Sequence, residues 1–198
     1  MARKSLFVVA AVVLVTAVGH AQRGGGRGGP VGIAASFQNA YNAVKANITQ
    51  SAEIVPEAGY ALKPSTMEDV KTYGQVIGHV ADAQFNQCSG ALGVPNPNQG
   101  SSFEAAGRTR AEIIKGLADS FALCDKAFAA LTDENASEMI SGGRGGQQAR
   151  AASLLGVIAH GNEMYGIYTV YQRAQNIVPP STAARGRGGR GGRGGRGN

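Results

Sequence analysis

Apolar side chains recur at intervals of three or four residues in four segments of this chain. Side chains at that spacing share one face of an α-helix, so each segment predicts an amphipathic helix that packs its apolar face against other helices. No segment shows the two-residue alternation of a strand, and the length is that of one domain. The pattern therefore predicts an all-α protein built as a four-helix bundle. The predicted helices cover Ala34 to Ile54, Ser65 to Gln87, Thr109 to Leu131 and Ala149 to Pro180.

Local signals mark where these helices begin and end. A hydroxyl side chain followed three residues later by glutamate has the spacing of a capping box, which predicts a helix start. The third helix could also begin as early as Ser102, and the fourth should end at the pair Pro179 and Pro180, because proline cannot continue a helix. The two capping boxes are Ser65 with Glu68 and Thr109 with Glu112.

Three connections separate the predicted helices. The first, Glu57 to Pro64, is bounded by prolines, and the third, Asp133 to Gln148, contains the glycine-rich sequence SGGRGGQQ and is expected to be a mobile loop. The second, Cys88 to Ser101, contains three glycines and two prolines and cannot be a regular element. A connection of that length permits a crossover, so the second and third helices can run parallel instead of forming an antiparallel hairpin.

The first 21 residues have the features of an export signal. Arg3 and Lys4 precede an apolar run from Leu6 to Val18, and the small residues before Gln22 suit a cleavage site. The run is shorter than the ~20 residues that cross a bilayer as a helix. We therefore expect an exported chain, periplasmic or extracellular, that begins at Gln22. An uncleaved anchor is the alternative.

Charge is distributed unevenly along the chain. Residues 34–180 carry ten Lys or Arg against thirteen Asp or Glu, a net charge of −3, whereas the whole chain carries +6. Two of the excess positive charges are Arg3 and Lys4, and the rest lie in glycine- and arginine-rich segments that contain too few apolar residues to fold. The expected organisation is a signal peptide at 1–21, a disordered linker at 22–33, the bundle at 34–182 and a disordered tail at 183–198.

The two cysteines, Cys88 and Cys124, are an even number in a chain that is predicted to reach an oxidising compartment. Export favours a disulfide, and in a parallel pair of helices the two residues would lie at a similar level. An antiparallel pair would separate them. Two buried thiols remain the alternative.

Candidate chemistry lies on the second and fourth helices. His79 and His160 are the histidines that remain after the leader is removed, and each lies beside an apolar helix face. Neutral imidazole is a common ligand of transition metals. Glu163 and Met164 follow His160 by one turn, so a carboxylate or a thioether could reach the same point. The alternative is a pair of hydrogen-bonded core histidines without a metal.

The chain resembles the DinB-like family of four-helix-bundle proteins over about Phe37 to Ser181. The resemblance implies an up-down-down-up bundle with a divalent metal held by one histidine on the second helix and an HxxxH pair on the fourth. Some members of the family are thiol-dependent S-transferases, and many have no assigned reaction. The segments that carry the resemblance are KANITQSAE, PEAGYALKP, HVADAQFNQCS, CDKAF and HGNEMYGIYTVYQRAQNIVPPST.

Carried onto this sequence, the resemblance implies ligands at His79, His160 and position 164, where methionine replaces the second histidine of the pair. We therefore expect a degenerate metal site that Glu163 or Met164 assists. The expected ion is zinc, nickel or iron, and a thioether ligand would suit copper. The resemblance implies metal-dependent transferase or hydrolase chemistry of unknown substrate, and a member without its full ligand set could also be non-catalytic.

The C-terminal arginines suggest a second function. Arginine contacts phosphate, and a flexible chain can follow a polyanion. No aromatic residue interleaves them, so we expect weak, salt-sensitive contact with envelope polyanions and no specific nucleic acid. The alternative function for the whole chain is thus that of a non-catalytic envelope protein. The tail could also be a solvated segment without a binding function. A homodimer is possible. The arginines are Arg185, Arg187, Arg190, Arg193 and Arg196.

Overall fold

The computed structural model describes residues 30–142 and 145–190, without the side chains of 187–190. The predicted signal peptide, most of the predicted linker and the end of the tail lie outside these residues. Within them the chain forms four long α-helices, a short fifth helix, a 3-10 helix at Glu57–Ala61 and a small hairpin. The elements are α1 Ile33–Ile54, α2 Tyr73–Leu92, α3 Arg110–Ala129, β1 Met139–Ser141, β2 Gln147–Ala149, α4 Arg150–Ala174 and α5 Pro180–Arg190.

The directions of the four long helices follow from contacts at their two ends. Gln84 and Cys88 of α2 meet Ser120 and Cys124 of α3 in that order, so α2 and α3 are parallel. Lys45 contacts Asp125, whereas the later Glu53 contacts the earlier Arg110, so α1 and α3 are antiparallel. The later residues of α4 likewise contact the earlier residues of α2. The bundle is therefore up-down-down-up, and the predicted crossover between the second and third helices is confirmed.

The start of α2 differs from the prediction. The capping box is made by Thr72 and Gln75, in which each side chain bonds the other residue's backbone N–H, and not by Ser65 and Glu68. Side chains from Ser65 to Lys71 are mostly exposed, whereas Tyr73 is fully buried. Helices in proteins depend on tertiary packing more than on local signals, so the helix begins where burial begins. The box at Thr109 and Glu112 is confirmed as the start of α3.

The end of α4 also differs. The helix stops at Ala174, before the prolines, because Asn176 adopts a left-handed conformation with φ of 60°. The amide of Ile177 then donates to the carbonyl of Gln172, and the amide of Asn176 donates to that of Arg173, which closes the helix in a Schellman motif. Proline favours the first position of a helix, and α5 accordingly begins at Pro180 and runs into the segment that was expected to lack structure.

The third connection contains a short antiparallel hairpin, whereas the sequence pattern predicted a mobile loop. Met139, Ile140 and Ser141 pair with Ala149, Gln148 and Gln147. Each strand has only three residues, which is too short for an alternating pattern to stand out in the sequence. The hairpin places Arg150 at the start of α4, where it donates to the carbonyl of Ala91 and contacts Glu138.

Tyrosine hydroxyls donate hydrogen bonds to backbone carbonyls inside the bundle. The last carbonyls of a helix have no partner within it. At the end of α1, Tyr73 donates to Ser51, Tyr60 donates to Ala52, and Arg110 donates to Glu53 and Val55. Two further hydroxyls bind backbone carbonyls between α4 and the start of α2, namely those of Tyr168 to Val76 and Tyr171 to Lys71. These bonds hold the helices in register around one apolar core.

Candidate functional site

His79 of α2 and His160 of α4 face each other across the bundle. Their Nε2 atoms are 3.2 Å apart, and the ring centroids are 5.2 Å apart. Each side chain is partly buried, so the pair is reachable from solvent. The antiparallel packing of α2 and α4 brings together two residues that are 81 positions apart in the chain. The predicted convergence of these histidines is therefore present.

The second ring nitrogen of His79 is held by a residue that the sequence pattern did not single out. Its Nδ1 lies 2.8 Å from Oε2 of Glu104, which belongs to the connection between α2 and α3. The other carboxylate oxygen of Glu104 forms a salt bridge with Lys71. Burial raises the pKa of the Glu104 carboxyl, but hydrogen bonds from Lys71 and His79 outweigh burial, so the net effect lowers the pKa. Glu104 is thus a charged acceptor at neutral pH.

The connection that carries Glu104 is fixed to α2 by Asp82. The carboxylate of Asp82 accepts hydrogen bonds from Asn98 and Ser102 side chains and from the backbone amides of Phe103 and Glu104. The glycine at 78 allows this approach, because a Cβ there would lie 2.1 Å from the carbonyl oxygen of Phe103.

Met164 and Glu163, the predicted additional ligands, differ in their surroundings. The Met164 side chain is 7% exposed and lines a depression of about 300 Å³ together with His79. The rest of its lining is mostly apolar but includes two charged residues, and it consists of Asp69, Val70, Lys71, Val76, Ile167 and Tyr171. Glu163 is exposed on the outer side of α4. Of these two residues, Met164 is therefore the one that shares a surface with His79.

The surroundings of His160 favour the neutral form of its ring. Burial lowers its pKa, and the neighbouring His79 lowers it further, while the charge of Glu163 acts in the opposite direction. A neutral imidazole presents a lone pair, which is the form that binds metals. Among residues 30–142 and 145–190, however, no group of three or more His, Cys, Asp and Glu side chains is arranged to hold an ion. Within that part of the chain, the nitrogen atoms that lie close together are those of His79 and His160.

Cys88 and Cys124 form a disulfide, as predicted, with a Cα–Cα distance of 5.1 Å. Both residues are fully buried between α2 and α3. The bond joins the helices on either side of the connection that carries Glu104. The disulfide therefore cross-links the two helices between which the connection that contacts His79 runs.

Of the C-terminal arginines, Arg185 is exposed on α5. Arg187 and Arg190 lie in the same helix, but their side chains, like Arg193 and Arg196, lie outside the described residues. Polyanion binding by these arginines therefore stays a prediction. Within residues 30–142 and 145–190, no helix has both the length and the apolar composition needed to cross a membrane.

The chain is similar to known proteins in sequence and in fold. The sequence model of the DinB superfamily matches residues 40–164. The crystal structure of a DinB-like protein from Bacillus cereus superimposes with a TM-score of 0.61 at 17% identity, covering 73% of this chain and 93% of that protein. A conserved protein from Enterococcus faecalis superimposes with a TM-score of 0.54 at 14% identity, covering 73% and 97%. At these identities the two structures establish the fold alone. None of the curated protein sequences compared with the chain matches it.

Proposed function

Because this chain belongs to the DinB superfamily, we propose that it is an exported bundle protein that binds one divalent transition metal between His79 and His160. The observation that supports this most directly is the separation of 3.2 Å between the two Nε2 atoms. A zinc–nitrogen bond is about 2.0–2.1 Å long, so two imidazoles on one ion stand about 3–3.4 Å apart for octahedral to tetrahedral angles. The pair has that spacing without any rearrangement of α2 and α4.

The surroundings of the pair support the same proposal. Histidines that bind metals usually donate their second N–H to a carboxylate or carbonyl, as His79 does to Glu104. Two nitrogens leave further coordination positions for water, for a substrate or for the thioether of Met164. A bound divalent ion would polarise an oxygen ligand or lower the pKa of a bound water, which supports transfer or hydrolysis chemistry. The depression beside Met164 would place an apolar substrate next to these positions.

The disulfide supports export of the protein. Disulfides form and persist in oxidising compartments and are rare in the cytosol. The Cys88–Cys124 bond therefore agrees with the leader that the first 21 residues predict. We place the metal site in the periplasm or outside the cell.

Tag-free protein should bind one Zn²⁺ or Ni²⁺ per chain in a calorimetric titration. His79→Ala and His160→Ala should each weaken binding at least tenfold, because a single imidazole remains. Asn162→Ala, an exposed neutral change on the same helix, is the matched control and should bind like the wild type. The variants Met164→Leu and Glu163→Gln then show which of these two neighbours contributes to metal affinity. Equal binding by the wild type and by a His79→Ala/His160→Ala double variant would refute the site.

The charge distribution favours a second candidate function, contact of the C-terminal tail with polyanions. The folded part carries a net charge of −3, so the tail arginines account for much of the positive charge of the chain. Such a contact would be electrostatic and would weaken steeply with salt. In this alternative the bundle is a non-catalytic scaffold that presents the tail in the cell envelope.

Deletion of residues 185–198 should leave the melting temperature unchanged and reduce retention on an anionic matrix. The contacts that dock this end of the chain precede the deletion, since Tyr165 and Ser181 bond each other. Added salt should remove the difference in retention. A lower melting temperature in the truncated protein would mean that the arginine segment packs on the bundle.

A further inference from the structure

We propose that Glu104 is the positioning residue that presents the Nε2 lone pair of His79, and that Asp82 holds Glu104 in place for this purpose. The inference rests on the proposed metal function and assigns the support of that site to the connection between α2 and α3. Neither residue is itself a ligand.

The hydrogen bond between His79 and Glu104 determines the tautomer. A charged carboxylate only accepts hydrogen bonds, so the Nδ1 atom of His79, 2.8 Å from Oε2, must carry the proton. In the neutral ring the lone pair is then on Nε2, the atom that faces His160. Without this acceptor the proton could occupy either nitrogen, and part of the population would present an N–H to the metal.

Two contacts fix the carboxylate of Glu104 itself. Its second oxygen binds Lys71, so rotation of the carboxylate would break a salt bridge as well as the bond to His79. Its backbone amide donates to the carboxylate of Asp82 at 3.1 Å, and this bond fixes the position of the Glu104 backbone. The side chain is three-quarters buried, so few alternative positions are open to it.

Asp82 acts as the anchor of the whole connection. Four hydrogen bonds from three consecutive residues and Asn98 converge on one carboxylate that lies on α2, three residues after His79. The helix that carries His79 therefore also carries the group that positions its partner. The close approach of Phe103 to the glycine at 78 leaves the connection no room to move toward the helix.

The test uses the full-length, metal-free protein first. In ¹⁵N NMR spectra the wild type should show the His79 ring protonated at Nδ1. Glu104→Gln is nearly isosteric, but its amide can accept from or donate to Nδ1, so it should give a mixture of tautomers. Asp82→Asn should cause a similar but smaller change. Asp119→Asn, which removes a carboxylate from an exposed salt bridge on α3, is the matched control and should leave the His79 signals unchanged.

Zn²⁺ titration of the same four proteins provides the second measurement. Glu104→Gln should weaken binding about tenfold, at the low end of the loss typical for such supporting partners, with an unchanged melting temperature in metal-free protein. Unaltered His79 signals in Glu104→Gln would overturn the inference. A wild type that binds no zinc but shows the Nδ1-protonated tautomer would defeat the proposed metal function and leave the role of Glu104 standing.

Discussion

Opening the Cys88–Cys124 disulfide should lower the free energy of unfolding by about 4 kcal/mol. The two residues are separated by 36 positions, and cross-linking a loop of that size removes about this much chain entropy from the unfolded state. The bond also ties α2 to α3, which run parallel and have no short connection to hold them together. The measurement is denaturant unfolding of the oxidised protein and of the same protein after reduction.

A Cys88→Ala/Cys124→Ala variant is the matched control for this experiment. Both side chains are fully buried, and alanine avoids leaving a buried hydroxyl without a partner. The variant and the reduced wild type should lose similar stability if the loss comes from the cross-link. Two thiols labelled per chain in unreduced, exported protein, or equal stability of all three forms, would contradict the prediction.

Substituting histidine for Met164 should tighten binding of Zn²⁺ or Ni²⁺ at least tenfold, about 1.4 kcal/mol. Position 164 lies one helical turn after His160 and shares a depression with His79, so a new imidazole can approach both existing ones. Because an ion that binds only the folded state stabilises it, the melting temperature should also rise more with added metal than in the wild type. Paired calorimetric titrations and thermal melts at matched pH provide the measurement.

Two further variants test whether the gain in metal affinity comes from a third imidazole that shares the ion with His79 and His160. Met164→Leu keeps an apolar side chain of similar size and should bind no better than the wild type. His79→Ala in the Met164→His background should cancel the gain. A gain that survives without His79 would mean that residues 79, 160 and 164 do not share an ion.

The helices were predictable where burial and local signals agree. The start of α3 combines a capping box at Thr109 with an apolar face that is buried from Ile113 onward, and it was predicted correctly. At Ser65 and Glu68 the spacing is equally good, but no burial accompanies it, and the residue that caps the helix, Thr72, lies seven residues after Ser65. The left-handed Asn176 was likewise undetectable by periodicity, because asparagine is tolerated both inside and just after a helix.

The candidate site was only half predictable. Helical spacing placed His79 and His160 on facing helices, since periodicity reports which side of a helix a residue occupies. Glu104 lies in a connection without periodicity, and its contact with His79 depends on the hydrogen bonds of Asp82 to the folded connection. No local pattern encodes such a contact. The resemblance to DinB-like proteins supplied the ligand positions but did not indicate the contact between Glu104 and His79.

Because tyrosine hydroxyls bind backbone carbonyls inside the bundle, the ultraviolet absorbance of the protein in alkali reports whether the bundle is folded. The chain has six tyrosines and no tryptophan, so its near-ultraviolet absorbance comes mainly from phenol rings. Burial raises the pKa values of Tyr60, Tyr73, Tyr168 and Tyr171 above the ordinary value of about 10.

Above that pH the unfolded chain binds fewer protons than the folded one, so the free energy of unfolding falls as the pH rises. Most of these phenols then ionise when the bundle opens, not before. The phenolate absorbance that these four residues contribute during an alkaline titration therefore reports the loss of the bundle, and no added dye or engineered fluorophore is required.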